Sequence, residues 1–270
     1  MRRWLISVDE LAACYREPGT VIADCRFALQ DTELGARHYA AGHIRGSHYL
    51  HLDRDLSSPK QKHGGRHPLP DVERFEQTLR ALGIDNDTLV VAYDDSRGAF
   101  AARLWWLLRY FGHDRVRVLD GGYRAWCDAG LPVSTDAPQP AAGKFTACVR
   151  PELLVNREAV IALRGAPGHL LVDSRESPRY LGLEEPIDPH AGHIEGARNY
   201  PWQEVTDEHG RFKAADAQRV RWGDALAAED IVVYCGSGVT ACANLLSLAE
   251  LGRDDARLYA GSWSDWCSYF

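Results

Sequence analysis

This 270-residue chain is written twice. Val21-Ile22-Ala23-Asp24-Cys25-Arg26 recurs as Leu170-Leu171-Val172-Asp173-Ser174-Arg175, and Gly42-His43-Ile44-Arg45-Gly46 recurs as Gly192-His193-Ile194-Glu195-Gly196. Leu89-Val90-Val91-Ala92-Tyr93-Asp94 matches Ile231 to Cys235, and Phe111-Gly112-His113-Asp114 matches Leu251-Gly252-Arg253-Asp254. Gly121-Gly122-Tyr123-Arg124-Ala125-Trp126 returns as Gly261-Ser262-Trp263-Ser264-Asp265-Trp266. Landmarks kept in one order imply two homologous units, each long enough to bury a core.

Within each unit, short apolar runs suited to strands alternate with helical patterns. Val21–Ala23, Leu89–Tyr93 and Val116–Leu119 stand between helical stretches at 72–82 and 98–111, and Leu170–Val172, Ile231–Tyr234 and Ala256–Tyr259 repeat the order. Such alternation predicts an α/β fold, twice over: two tandem, mostly parallel sheets with helices on both faces. Residues 132–143 are rich in Pro and Ala without an apolar period, which reads as a linker. The expected division is a first domain over 1–136, a linker over 137–150 and a second domain over 151–270. Leu104, Trp105, Leu108 and Phe111 recur at helical spacing and read as core. Ala241, Leu245 and Leu248 do the same ahead of Gly252, placed for a left-handed cap.

The second copy of the central strand ends in Cys235-Gly236-Ser237-Gly238-Val239-Thr240, followed by a helical pattern. A thiol there meets the free N–H groups of a loop and a first helical turn, which favour a thiolate. Cys235 is therefore the candidate nucleophile. The first copy has Asp94 at this place and so lacks the thiol nucleophile, and that unit is expected to supply structure and one wall of a cleft.

A net charge of −7 gives no basic field for nucleic acid or an acidic membrane. No apolar run reaches membrane-spanning length, and the start of the chain shows no targeting signal. The cysteine count, seven, is odd and scattered without a C-x-x-C pair, which points to reduced thiols in a cytoplasmic setting. Cys235 and Cys242 have no His between them, so no metal site is expected. Phosphatase loops of this shape need an arginine six residues after the cysteine, where this chain has Ala241.

The segment from Cys235 to Thr240, followed by Ala241, resembles the active-site loop of the rhodanese family, most closely that of its 3-mercaptopyruvate sulfurtransferases. The resemblance implies a ping-pong transfer through a Cys235 persulfide, with Gly236, Ser237, Gly238, Val239 and Thr240 cradling the anion and no cofactor or metal. It implies a small-molecule sulfur donor and an acceptor that is cyanide, a small thiol or a thioredoxin-like protein. Because the loop is neutral, 3-mercaptopyruvate is the expected donor; thiosulfate, or a persulfide carrier serving a protein acceptor, are the alternatives.

Arg179 matches the family arginine that binds the donor carboxylate, and Arg175 is expected to hold the domain together through a carboxylate. A second arginine usual after a Glu-Pro pair is missing, since Glu185-Pro186 is followed by Ile187. His43 matches a histidine assigned to a Ser/His/Asp relay with Ser237. Its duplicate His193 gives it an equally good structural reading, and Asp31 is the nearest acidic candidate. The basic loop His63–Pro70 places Arg66 as a further group that could line the cleft.

Overall fold

The computed structural model describes residues 4–270. In chain order the strands are β1 (Leu5–Ile6), β2 (Thr20–Asp24), β3 (His43–Ile44), β4 (Ser47–Tyr49), β5 (Leu89–Tyr93), β6 (Val116–Leu119), β7 (Val133–Ser134), β8 (Leu154–Val155), β9 (His169–Asp173), β10 (Arg198–Asn199), β11 (Asp230–Tyr234) and β12 (Arg257–Tyr259). Two five-stranded sheets result, ordered β1-β6-β5-β2-β4 and β8-β12-β11-β9-β10, parallel throughout. The second order is the first transposed strand for strand.

The duplication extends to single hydrogen bonds. Asp24 pairs with Tyr93 in register as Asp173 does with Tyr234. Arg26 and Arg175 each clamp that aspartate, at 2.6 Å and 2.7 Å, and each also donates to a glycine carbonyl, Gly42 or Gly192. Tyr93 and Tyr234 each accept the N–H of the Ile after the His, Ile44 or Ile194. Buried pairs with all their hydrogen bonds made fix one arrangement of the strand ends.

The central strands are apolar on both faces because helices cover both. The helices Ala101–Tyr110 and Ala241–Glu250 pack against each other, and each is buried nearly all round. Trp105, Trp106, Leu108, Leu245 and Leu248 share one apolar cluster that runs from one sheet to the other. A helix without a polar face needs neighbours on every side, which is what this junction supplies. Gly252 ends the second helix at φ +87°, as expected of a left-handed cap.

Residues 137–150 form no helix or strand, yet they do not hang free. Phe145 is fully buried, and the segment bonds along the first domain through Gly143 N to Arg80 O, Cys148 N to Phe111 O and Arg150 N to Tyr110 O. The Arg150–Asp114 ion pair fastens its end. Its composition reads as a spacer; the single aromatic anchor makes it a strap.

Candidate active site

β11 stops at Tyr234, so Cys235 lies at the carboxyl end of the central strand, where parallel sheets open their crevices. The residue is 1% exposed and lines a cleft of about 770 Å³ between the two units. Phe27, Arg97 and Phe100 line it from the first domain, and Arg179, Trp202 and the 235–240 loop from the second.

The segment beside the loop pins it. Cys235 N donates to Ser262 Oγ at 3.1 Å, while Trp263 N and Ser264 N donate to the carbonyls of Cys235 and Gly236 at 3.0 and 2.9 Å. Ser262 is held at φ +56°, a conformation its duplicate Gly122 adopts freely at +59°. A side chain is kept in that strained region because its hydroxyl takes the N–H of Cys235. Gly238, at φ +74°, has no such choice: a Cβ there would lie 2.4 Å from Ala260 O.

The first domain shows what such a loop holds. Asp94 is buried, and its carboxylate accepts the N–H groups of Ser96, Gly98, Phe100 and Ala101 at 2.7–2.9 Å. Burial lifts its carboxyl above the ordinary range, against the pull of those four amides. In the second domain the corresponding amides of Gly236 to Thr240 donate to no protein acceptor among the described residues. Cys235 stands at the chain position that Asp94 holds in the first copy, and a run of unclaimed amides of this kind suits an anion.

Two guanidinium groups flank Gly236. A Cβ there would stand 2.9 Å from Arg66 Nη2 and 3.6 Å from Arg179 Nη2. Arg179 is paired with Glu185 at 2.7 Å and Asp188 at 3.3 Å, and Arg66 also pairs with Asp188. Burial pushes the Glu185 carboxyl up, but Arg179 and the amides of Asp188 and Ile187 outweigh it and hold the group below its usual value. Ile187 turns outward at the cleft mouth. Arg175 is fully occupied with Asp173, Glu185 and Gly192 O, a structural duty shared with Arg26.

The basic loop reaches the second domain because that domain holds it: Gly64 N donates to Asp265 Oδ1 and Arg66 N to Ser264 Oγ. This brings in a residue that sequence reasoning missed. His67 Nδ1 lies 2.8 Å from Ser237 Oγ, and its Nε2 lies 3.2 Å from Asp53 Oδ1. Burial pushes the His67 pKa down, partly opposed by Asp53, so the ring is neutral near pH 7. Asp53 in turn is held below the usual range by its bond to His67.

His43 is elsewhere. It stacks on Tyr39 at 3.9 Å, with Nδ1 on Tyr39 O and Nε2 on Asp136 O, and His193 repeats the stack on Tyr180 at 4.0 Å. Both histidines shape the turn before a strand, which is why both copies have them. Asp31 pairs with Arg37 at the surface. The histidine that meets Ser237 is instead one without a duplicate in the second half, which the repeat alone could not single out among the other unpaired histidines.

Together the fold and the site define a class: a duplicated α/β protein whose second unit carries a buried cysteine just past its central strand, in a cleft that Arg66 and His67 of the first unit help to line. The Rhodanese-like domain model matches residues 7–129 and 156–269, and the chain belongs to the rhodanese family. It is 45% identical to the "Probable 3-mercaptopyruvate sulfurtransferase" of Pseudomonas aeruginosa, over 97% of this chain and 94% of that protein. It is 35% identical to the thiosulfate sulfurtransferase of Cricetulus griseus, over 98% of this chain and 92% of that protein. The crystal structure of SseA from Escherichia coli, a 3-mercaptopyruvate sulfotransferase with the rhodanese fold, superposes with a TM-score of 0.87 at 32% identity, covering 97% of this chain and all of that one.

Proposed function

We propose that this protein is a sulfurtransferase that takes sulfur from 3-mercaptopyruvate, holds it as a Cys235 persulfide and passes it to a thiol or to cyanide. The observation that carries the reading is the contrast between the two loops: the amides of one are taken by its own Asp94 carboxylate, while the other has Cys235 in that place and amides that no protein acceptor takes among the described residues.

The Cys235 thiolate attacks the donor sulfur, and the C–S bond breaks with its electron pair passing to carbon, so that the enolate of pyruvate leaves and then takes up a proton. The enzyme is left with Cys235 S–SH, whose ionised form the loop amides stabilise. An acceptor thiolate attacks the outer sulfur, and Cys235 leaves as thiolate. Neutral His67, oriented by Asp53 through Nε2–H, accepts the Ser237 hydroxyl proton at Nδ1. Ser237 is thereby placed to exchange a proton with the donor thiol or the leaving enolate.

Arg179 and Arg66 supply a carboxylate clamp drawn from both domains. Arg66 thus stands in for the arm absent at Ile187, and donor binding displaces part of its pairing with Asp188. The same observation supports a second reading. A loop neutral in sequence is flanked by a cation from the other half, which also suits the double negative charge of thiosulfate. The acceptor is a small thiol or a thioredoxin-like protein, in a reducing, cytoplasmic compartment, and the working domains are 1–136 and 151–270.

Steady-state kinetics with each donor and a fixed acceptor separate these readings. A kcat/KM favouring 3-mercaptopyruvate, abolished in Cys235→Ser and reduced mainly through KM in Arg66→Ala, is the expected result. A preference for thiosulfate transfers the assignment to that donor, and inactivity with both overturns the small-molecule reading.

A further inference from the structure

The cleft that holds Cys235 continues into a second lobe of about 730 Å³. Both lobes are lined by Phe27, Leu29, Arg66, His67, Pro186 and Ile187. His67 links them: its Nδ1 lies 2.8 Å from Ser237 Oγ, whose residue borders the first lobe, and its Nε2 lies 3.2 Å from Asp53 Oδ1, whose residue borders the second. Cys235 and Ser237 border the first lobe only. A donor as small as 3-mercaptopyruvate, held by Arg66 and Arg179 beside Cys235, needs only that first lobe.

Two observations mark the second lobe as a binding site. Ser57, on its wall, is 2% exposed, and its Oγ has no hydrogen-bond partner. A buried hydroxyl left unmatched costs stability, so one kept beside a cavity suits a ligand that completes it. Lys60, also on the wall, is exposed and forms no ion pair among the described residues. The other charges bordering the lobe are matched, Arg66 by Asp188 and Asp53 by His67. Thr32, Ser58 and Gln30 add polar groups to this wall. One unmatched cation among hydroxyls and an amide suits a carboxylate carried on a body of peptide groups.

We infer that the second lobe is the acceptor's subsite, and that it takes a small peptide thiol with a free carboxylate. This rests on the sulfurtransfer reading and names the acceptor class within it. Lys60 pairs with the carboxylate, Ser57 and its polar neighbours meet the peptide groups, and the thiol reaches past His67 to the loaded cysteine. The thiol proton goes to water, and the thiolate attacks the outer sulfur of the Cys235 persulfide. A new S–S bond forms on the acceptor as the bond to Cys235 breaks, its electron pair staying on Cys235. The acceptor leaves as a persulfide, and Cys235 is again a thiolate.

The first test is calorimetric titration of the enzyme with S-methylglutathione, a thioether that cannot take sulfur. Binding to wild type, weakened about threefold or more in Lys60→Ala and in Ser57→Ala, is the expected result. No binding, or binding equal in all three proteins, overturns the proposal. The second test is turnover with 3-mercaptopyruvate held fixed and either glutathione or 2-mercaptoethanol as acceptor. The ratio of kcat/KM for glutathione to that for 2-mercaptoethanol should fall about threefold or more in Lys60→Ala. Glutathione diethyl ester, which has no carboxylate, should show the same loss in wild type and no further loss in Lys60→Ala. A ratio unmoved by Lys60→Ala overturns the subsite alone, whereas no turnover with either thiol overturns the sulfurtransfer reading and the acceptor role with it.

Discussion

His67 works only when neutral, since a protonated ring cannot accept from Ser237. Burial holds its pKa below the ordinary 6.5, so the acid limb of kcat/KM with 3-mercaptopyruvate should fall below pH 6.5. Asp53→Asn removes the charge that opposes burial. It should move that limb to lower pH and reduce the plateau by about tenfold or more, as the ring loses its orienting acceptor. The same shift has a stability sign. The unfolded chain takes up this proton first, so stability is present above pH 6.5 and declines as pH falls through the folded value. Ser262 is the other residue with a sharp expectation. Ser262→Ala keeps the left-handed backbone and strips the acceptor from Cys235 N–H, a loss of about 1–3 kcal/mol in urea unfolding. Ser262→Gly loses the same bond but relieves a strain of about 1 kcal/mol, and should be the milder change.

At the scale of elements, Asp94 shows what the strand-to-helix loop demands. Four amides point at one spot, and the carboxylate there answers all of them. Asp94→Ala leaves four donors without an acceptor, the two of Phe100 and Ala101 buried, and should lower stability by about 3 kcal/mol, measured by urea unfolding with the sheet intact by circular dichroism. Much of this was legible in the sequence. Strands, helices and the place of Cys235 follow from apolar runs and from the Asp94/Cys235 substitution in a repeated frame, both local patterns. The partners of Ser237 were not legible, because His67 and Asp53 come from loops of the first domain that reach the site only through contacts such as Gly64 with Asp265. The family match to His43 falls in a segment present in both halves. There the duplication itself signals a shared structural duty, met by Tyr39 for His43 and by Tyr180 for His193. The role of Arg66 was visible as a cationic loop, but its position beside Arg179 was set by tertiary packing.

For the whole molecule, the decisive fact is that the apolar cluster does not stop at the domain boundary. Two domains joined by a polar interface would separate on heating; two joined through Trp105, Leu245 and Leu248 should melt together. Leu248→Ala, at the centre of that contact, should cost about 2–5 kcal/mol and lower a single calorimetric transition. Resolution into two transitions in wild type would show that the halves are independent.

A shared core also leaves the crevice no hinge. A cysteine only 1% exposed cannot be uncovered by swinging such halves apart, so access is decided by reach. When the persulfide forms, the atom to be delivered moves about 2 Å outward along the new S–S bond. The loaded enzyme presents its cargo like a stem raised in a fixed socket, and the recipient has to be slim enough, or carry its thiol on a protrusion narrow enough, to come down and collect it.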